Sequence, residues 1–138
     1  MIKSIDRKKI VECVRKEVKK ANKEIIVTML LSEEIENPLP RSYHTLLQKK
    51  VQQGILVKRL GFGTKEEYNQ INFMYKFNSK NYIFRYEADI NYYQRLIIID
   101  GKLLFFGVDD MFFQSSYKQL IEAFLSYFSS VSKKGRKK

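Results

Sequence analysis

The sequence predicts an α/β domain in which a central mixed sheet of about five or more strands is flanked by helices. Three observations lead there. Residues 4 to 22 carry Ile10, Val11, Val14, Val18 and Ala21 at spacings of three and four between lysines and arginines, the stripe of an amphipathic helix. The run "EIIVTMLL" (24 to 31) is apolar and β-branched, and after a helical segment ending at Gly54 comes a second such run, "ILVKRL" (55 to 60). A strand, a helix and a strand in that order make a βαβ unit. Finally, "YYQRLIIIDGKLLFFG" (92 to 107) joins two apolar runs through Asp100-Gly101, and Asp-Gly suits a two-residue hairpin whose central positions both need positive φ.

The remaining elements follow in order. The first strand should lie inside the sheet, because its apolar run is nearly continuous. "SEEIENPLPRS" (32 to 42) contains both prolines and reads as an irregular connection. Ser42 stands at the N-cap of the next helix, with Tyr43, Leu46, Leu47 and Val51 on one face and Gly54 just past its end. After "GFGT" (61 to 64), Thr64 and Glu67 form a capping box for a helix running to about Phe77. "GFG" alone is too short to make a phosphate loop. "YIFRYE" (82 to 87) is a third strand, the hairpin supplies the fourth and fifth, and Ser116 with Gln119 caps a last helix built on Leu120, Ile121, Phe124, Leu125 and Phe128.

At 138 residues the expectation is one domain over 1–132 with a disordered basic tail at 133–138. The single cysteine, Cys13, excludes an intrachain disulfide and a cysteine-based metal site, and points to a cytoplasmic protein. No signal peptide or membrane span is expected, since the apolar runs fall far short of the roughly 18 residues a span needs. Nothing in the residue pattern asks for a cofactor or a metal. The net charge is +11, and "KKGRKK" at the C-terminus supplies five of those charges, leaving +6 on the rest. That excess suits a polyanionic partner, nucleic acid or an anionic membrane surface, and equally a lysine-rich soluble exterior.

The polar residues of the hairpin have a recognisable spacing. Tyr93 is followed two residues later by Arg95, five further by Asp100 with Gly101 next to it, and then by Gly107, Val108 and Asp110. This resembles the phospholipase D superfamily, whose motif runs His, Lys, Asp-Gly, then Gly-Ser and Asn. Tyr93 falls at the His, Arg95 at the Lys, Asp100 at the Asp, Gly107 at the Gly, Val108 at the Ser and Asp110 at the Asn. The resemblance covers about residues 8 to 130 and implies one half of the phospholipase D fold. It also implies the roles: the His attacks phosphorus, the Lys and Asn hold phosphate oxygens, and the Asp orients the His of the partner half. A phenol with a pKa near 10 is a poor substitute for imidazole near neutral pH, whereas arginine keeps the charge and offers a better fork for phosphate. A non-catalytic domain that binds a phosphodiester polyanion, most of all nucleic acid, is the expectation.

Its anion site should combine Arg95, Tyr93, Asp110, Arg59, Lys58, Arg85 and His44. His44, the only histidine, is expected exposed in the first turn of its helix, near Arg41 and Ser42. Tyr82, Tyr86, Tyr92 and Tyr93, interleaved with Arg85 and Arg95, could stack bases. Glu33, Glu34, Glu36, Glu66 and Glu67 read as complements to helix dipoles. Degenerate domains similar to this one include the phosphoinositide-binding domain of MIT-containing cytokinesis proteins and the effector domain of archaeal TrmB-type regulators, so a membrane-surface or regulatory module is the alternative. A phosphodiesterase with Tyr93 as nucleophile is the third reading. The resemblance further implies a homodimer across a two-fold axis, for which Met111, Phe112 and Phe113 in "LLFFGVDDMFF" are the candidate patch.

Overall fold

A computed structural model of the chain describes residues 2–75 and 77–134. Its centre is one seven-stranded sheet in the order β1-β7-β6-β5-β2-β3-β4. The strands are β1 (Ile2–Ile5), β2 (Glu24–Leu30), β3 (Leu56–Phe62), β4 (Tyr82–Glu87), β5 (Leu96–Ile99), β6 (Leu103–Val108) and β7 (Met111–Ser115). β2, β3 and β4 are parallel, as helical crossovers require. β5, β6 and β7 form an antiparallel meander beside β2, and β1 closes the edge against β7.

Alternation along the strands sends side chains into two layers. On one face, Ile25, Val27, Val57, Ile99 and Phe105 pack beneath α1 (Ile10–Lys19) and α3 (Arg41–Gln52). Farther along that face, Phe84 and Tyr86 meet Tyr68 and Ile71 of α4 (Lys65–Met74) and Leu31 of α2 (Leu31–Glu36). On the other face, Ile26, Leu60, Ile98, Leu104 and Phe106 are covered by Ile121, Phe128 and Val131 of α5 (Lys118–Lys134). Among the described residues, no helix is long and apolar enough to cross a membrane.

The βαβ unit, β4, the hairpin and the last helix stand where the sequence places them, although the last helix starts at Lys118 without the Ser116–Gln119 cap: Ser115 Oγ accepts from Tyr117 N–H, and Gln119 meets the Tyr117 hydroxyl. Gly54 has a φ of 87° after α3, and Thr64 and Glu67 form the full capping box of α4. Four other expectations are corrected. The stripe at residues 4 to 22 is shorter as a helix, because Ile2–Ile5 pairs with β7 and Asp6 then caps a 3-10 turn over Arg7–Lys9. The connection at 32 to 42 contains α2, because its prolines fall only after Asn37 has ended that helix. α3 starts directly behind Pro40, so Ser42 is not its cap; the Ser42 hydroxyl instead accepts from Arg15. The residues after β6 turn back through Asp109, at a φ of 55°, into an extra strand, β7. α5 continues through Lys134, and the rest of the tail expected at 133–138 lies outside the described residues.

Candidate functional site at the start of β5

Asp100 and Gly101 have φ values of 56° and 64°, the backbone of the hairpin turn their sequence demands. The Asp100 carboxylate reaches across to β2, where it accepts from the backbone N–H groups of Asn22 (3.0 Å), Lys23 (2.8 Å) and Glu24 (3.0 Å). Burial works to raise its pKa, but these backbone bonds, with help from Lys102, outweigh it and hold the carboxyl below its ordinary value. Its place in the fold is therefore structural. At about 3.3 Å per residue, the length of β5 keeps it about 15 Å or more from Tyr93.

The opposite end of β5 is pinned by Thr28, whose hydroxyl donates to the Gln94 carbonyl (2.6 Å) and accepts from Leu96 N–H (2.9 Å). Gln94 in turn donates to the Gly107 carbonyl. Between these anchors Arg95 lies along Gly107, where a Cβ would stand 3.0 Å from its Cδ and 3.3 Å from the Phe112 ring. The guanidinium sits 5.3 Å from the centre of the Phe112 ring and gives Nη2 to both oxygens of Glu33, at 2.6 and 2.8 Å. Tyr93 packs on Phe62 and is partly buried. Burial raises its pKa; Arg95 opposes that rise and Glu33 adds to it. At this end of the sheet stand a protonated phenol and an arginine already engaged by a carboxylate.

No family model matches this sequence, and no curated protein matches it. Solved structures do. NucT from Helicobacter pylori superposes with a TM-score of 0.72 at 12% identity, covering 98% of this chain and 96% of that one. Nuc from Salmonella typhimurium, a phospholipase D family member, gives 0.68 at 12% identity, covering 99% and 95%. This chain has a phospholipase D-like fold. TrmBL2, an archaeal chromatin protein with a novel mode of DNA binding, matches with a TM-score of 0.72 at 15% identity over 98% of this chain. The chain spans about half (53%) of that protein.

Within this phospholipase D-like fold, Arg95, Tyr93 and Arg59 line one cavity, and the other residues expected at the anion site are dispersed. Arg59 and Lys58 are neighbours on β3, so they face opposite layers. Arg59 is only 2% exposed, inside the α1–α3–α4 layer, where it contacts Tyr82 Oη (3.3 Å), Met29 Sδ (3.5 Å) and the Phe84 ring. Lys58 and Arg85 point the other way, lining a groove of about 400 Å³ beside α5. There Lys58 pairs with Glu24 at 3.3 Å and Arg85 donates to the Ser132 carbonyl. His44 is buried rather than exposed: three and seven residues before Leu47 and Val51, it shares the inward face of α3, and its ring stacks 3.8 Å from that of Tyr75. Its Nε2 lies 2.9 Å from Glu34 Oε1, an ion-pair distance without hydrogen-bond alignment. Asp110 is exposed in the β6–β7 turn. Of the tyrosines offered for base stacking, Tyr86 is core and Tyr92 alone is well exposed.

The patch at Met111, Phe112 and Phe113 is also mostly internal. Phe113 stacks on Phe106, Phe112 lies under Arg95, and β1 covers the strand edge, so only Met111 is exposed. Glu33 and Thr28 were invisible as site residues. The sequence shows Glu33 as one of three nearby glutamates and Thr28 as one polar residue in a strand, and only the pairing of β2 with β5 brings them to Arg95 and Gln94.

Proposed function

We propose that this chain is a non-catalytic phospholipase D-like domain that binds nucleic acid through the outer surface of its N-terminal helix. The observation that carries this reading is the placement of charge: residues 2–23 hold nine Lys and Arg against three Asp and Glu. Lys3, Arg7, Lys8, Lys9, Lys16 and Lys19 are all exposed on β1, the 3-10 turn and α1. Arg41 and Lys49 of the adjacent α3 extend the same surface. A dense positive field of this kind attracts phosphates at long range and releases counterions on contact. The DNA-binding chromatin protein of the same fold supports nucleic acid over other polyanions.

Catalysis is disfavoured by the chemistry at the start of β5. Tyr93, in the position that the family resemblance gives to the nucleophile, has its pKa raised by burial, which makes phenolate scarcer still. Arg95 is neutralised by Glu33, and the one histidine is buried against Glu34 and the Tyr75 ring. Of the patch expected at a homodimer interface only Met111 is exposed, since Phe112 and Phe113 are engaged within the chain.

Binding to a fluorescent DNA or RNA duplex, measured across salt concentrations, is the test. The logarithm of affinity should fall linearly with the logarithm of salt. Replacing Lys8, Lys9, Lys16 and Lys19 with glutamate should reduce the slope by about 3 to 4, near 0.9 per lost phosphate contact. Arg95→Ala should change it by less than one contact. Binding that ignores salt, or that survives the fourfold charge reversal, would overturn the reading. With an activated phosphodiester such as bis(p-nitrophenyl) phosphate, we expect no turnover; hydrolysis abolished by Tyr93→Phe would instead establish a tyrosine nucleophile.

A further inference from the structure

We infer that the cavity beneath α1 is a binding site for a small apolar carboxylate, held by Arg59 and Tyr43. The cavity, of about 150 Å³, is walled by Ile10 and Val14 of α1, Val27 and Met29 of β2, and Leu39. Arg59 and Tyr43 also line it, and at its other end so do Tyr93 and the Arg95–Glu33 pair. Both are almost wholly buried, at 2% and 3% exposed, and Arg59 Nε and Tyr43 Oη have no hydrogen-bond partner among the described residues.

Arg59 is the unusual member. No carboxylate of a described residue lies within 4 Å of it, and its contacts are a phenol, a thioether and an aromatic ring. Removing a guanidinium from water is costly unless an anion compensates, so natural interiors rarely leave one in neutral company. Glu34 lines the same cavity: Oε2 accepts from Leu39 N–H at 3.0 Å, and Oε1, at ion-pair distance (2.9 Å) from His44 Nε2, has no hydrogen-bond partner among the described residues. Two buried donor atoms on the cavity wall are thus left without a partner among the described residues, Arg59 Nε and Tyr43 Oη.

The chemistry of the occupant follows from these walls. A single delocalised negative charge matches one guanidinium, and a planar carboxylate can take N–H and O–H donors on its two oxygens. A phosphate dianion would bring more charge than Arg59 offsets, since Arg95 on the same cavity is already paired with Glu33. A dry cavity of about 150 Å³ is known to accept benzene, so the body attached to the carboxylate should be a ring or chain of about six carbons. This site is distinct from the basic surface proposed for nucleic acid and does not depend on it.

Benzoate and hexanoate are suitable probes, with toluene as the control that fills the same space without a charge. Calorimetry together with amide chemical-shift mapping should show saturable one-to-one binding of the carboxylates, with shifts centred on Val14, Val27 and Met29. Toluene should bind at least roughly tenfold more weakly, a gap of about 1.4 kcal/mol. Arg59→Met should remove the preference for benzoate over toluene, and Tyr43→Phe, which keeps the core shape and guards against a folding failure at Arg59, should weaken benzoate several-fold. No saturable binding at millimolar carboxylate, shifts confined to other regions, or a Tyr43→Phe protein that binds benzoate unchanged would overturn the assignment.

Discussion

Asp100→Ala is expected to destabilise the domain by about 3 kcal/mol, close to the limit of what a partly exposed side chain can do. Two losses combine. The carboxylate satisfies three backbone N–H groups that open β2, and charge-assisted bonds of this kind, discounted for their exposure, contribute about 2 kcal/mol together. Alanine at a φ of 56° adds about 1 kcal/mol, since a Cβ crowds the carbonyl in the left-handed region. Asp100→Asn separates the terms: asparagine tolerates that backbone but lacks the charge, so its loss should be smaller. The pH dependence gives an independent reading. Because the folded pKa lies below the unfolded one, the Asp100 contribution is complete above the unfolded value near 4 and fades as pH falls through the folded value. In urea unfolding, the gap between the natural protein and Asp100→Ala should be constant above about pH 5 and narrow below about pH 4. A constant gap down to acid pH would mean that the carboxylate charge contributes nothing.

Gly61→Ala should cost about 2 to 3 kcal/mol and should disturb both ends of the candidate site at once. A Cβ on Gly61 would fall 2.4 Å from Leu31 Cδ2 and 2.9 Å from its Cγ. Leu31 has no room to yield, being fully buried against Tyr68, Ile71, Phe84 and Tyr86. Overpacking a filled core typically costs 1 to 3 kcal/mol. Leu31 also opens α2, whose first turn carries Glu33 to Arg95 and Glu34 to His44. Thermal unfolding should therefore show a lowered midpoint, and amide shifts of Arg95 should move although it is distant in sequence. A variant with unchanged stability would show that α2 is loosely held.

The local chemistry of the elements is legible along the chain. Asp100-Gly101, Gly54 after α3 and the Thr64–Glu67 box act over a few residues, through backbone angles and caps that need no distant partner. The β-branched runs of β2 and β3 and the stripes of α1 and α5 announce burial in the same way. The edges of the sheet are not legible. Ile2–Ile5 carries too few apolar residues to declare itself a strand, and it becomes one only because β7, more than a hundred residues away, offers an open row of hydrogen bonds.

The same distinction separates the basic residues. As a sequence, Lys58, Arg59, Arg85 and Arg95 are four cations at strand positions, any of which could meet a phosphate. Strand alternation puts Arg59 in one layer and Lys58 in the other, α5 claims Arg85, and α2 delivers Glu33 to Arg95. The sequence by itself determined the total charge, the turn chemistry and the order of elements, because these are properties of neighbouring residues. Which cations remain free for a partner, and which are buried with unused donors, was decided only in the tertiary structure, because a charge is neutralised or exposed by whatever the fold packs against it.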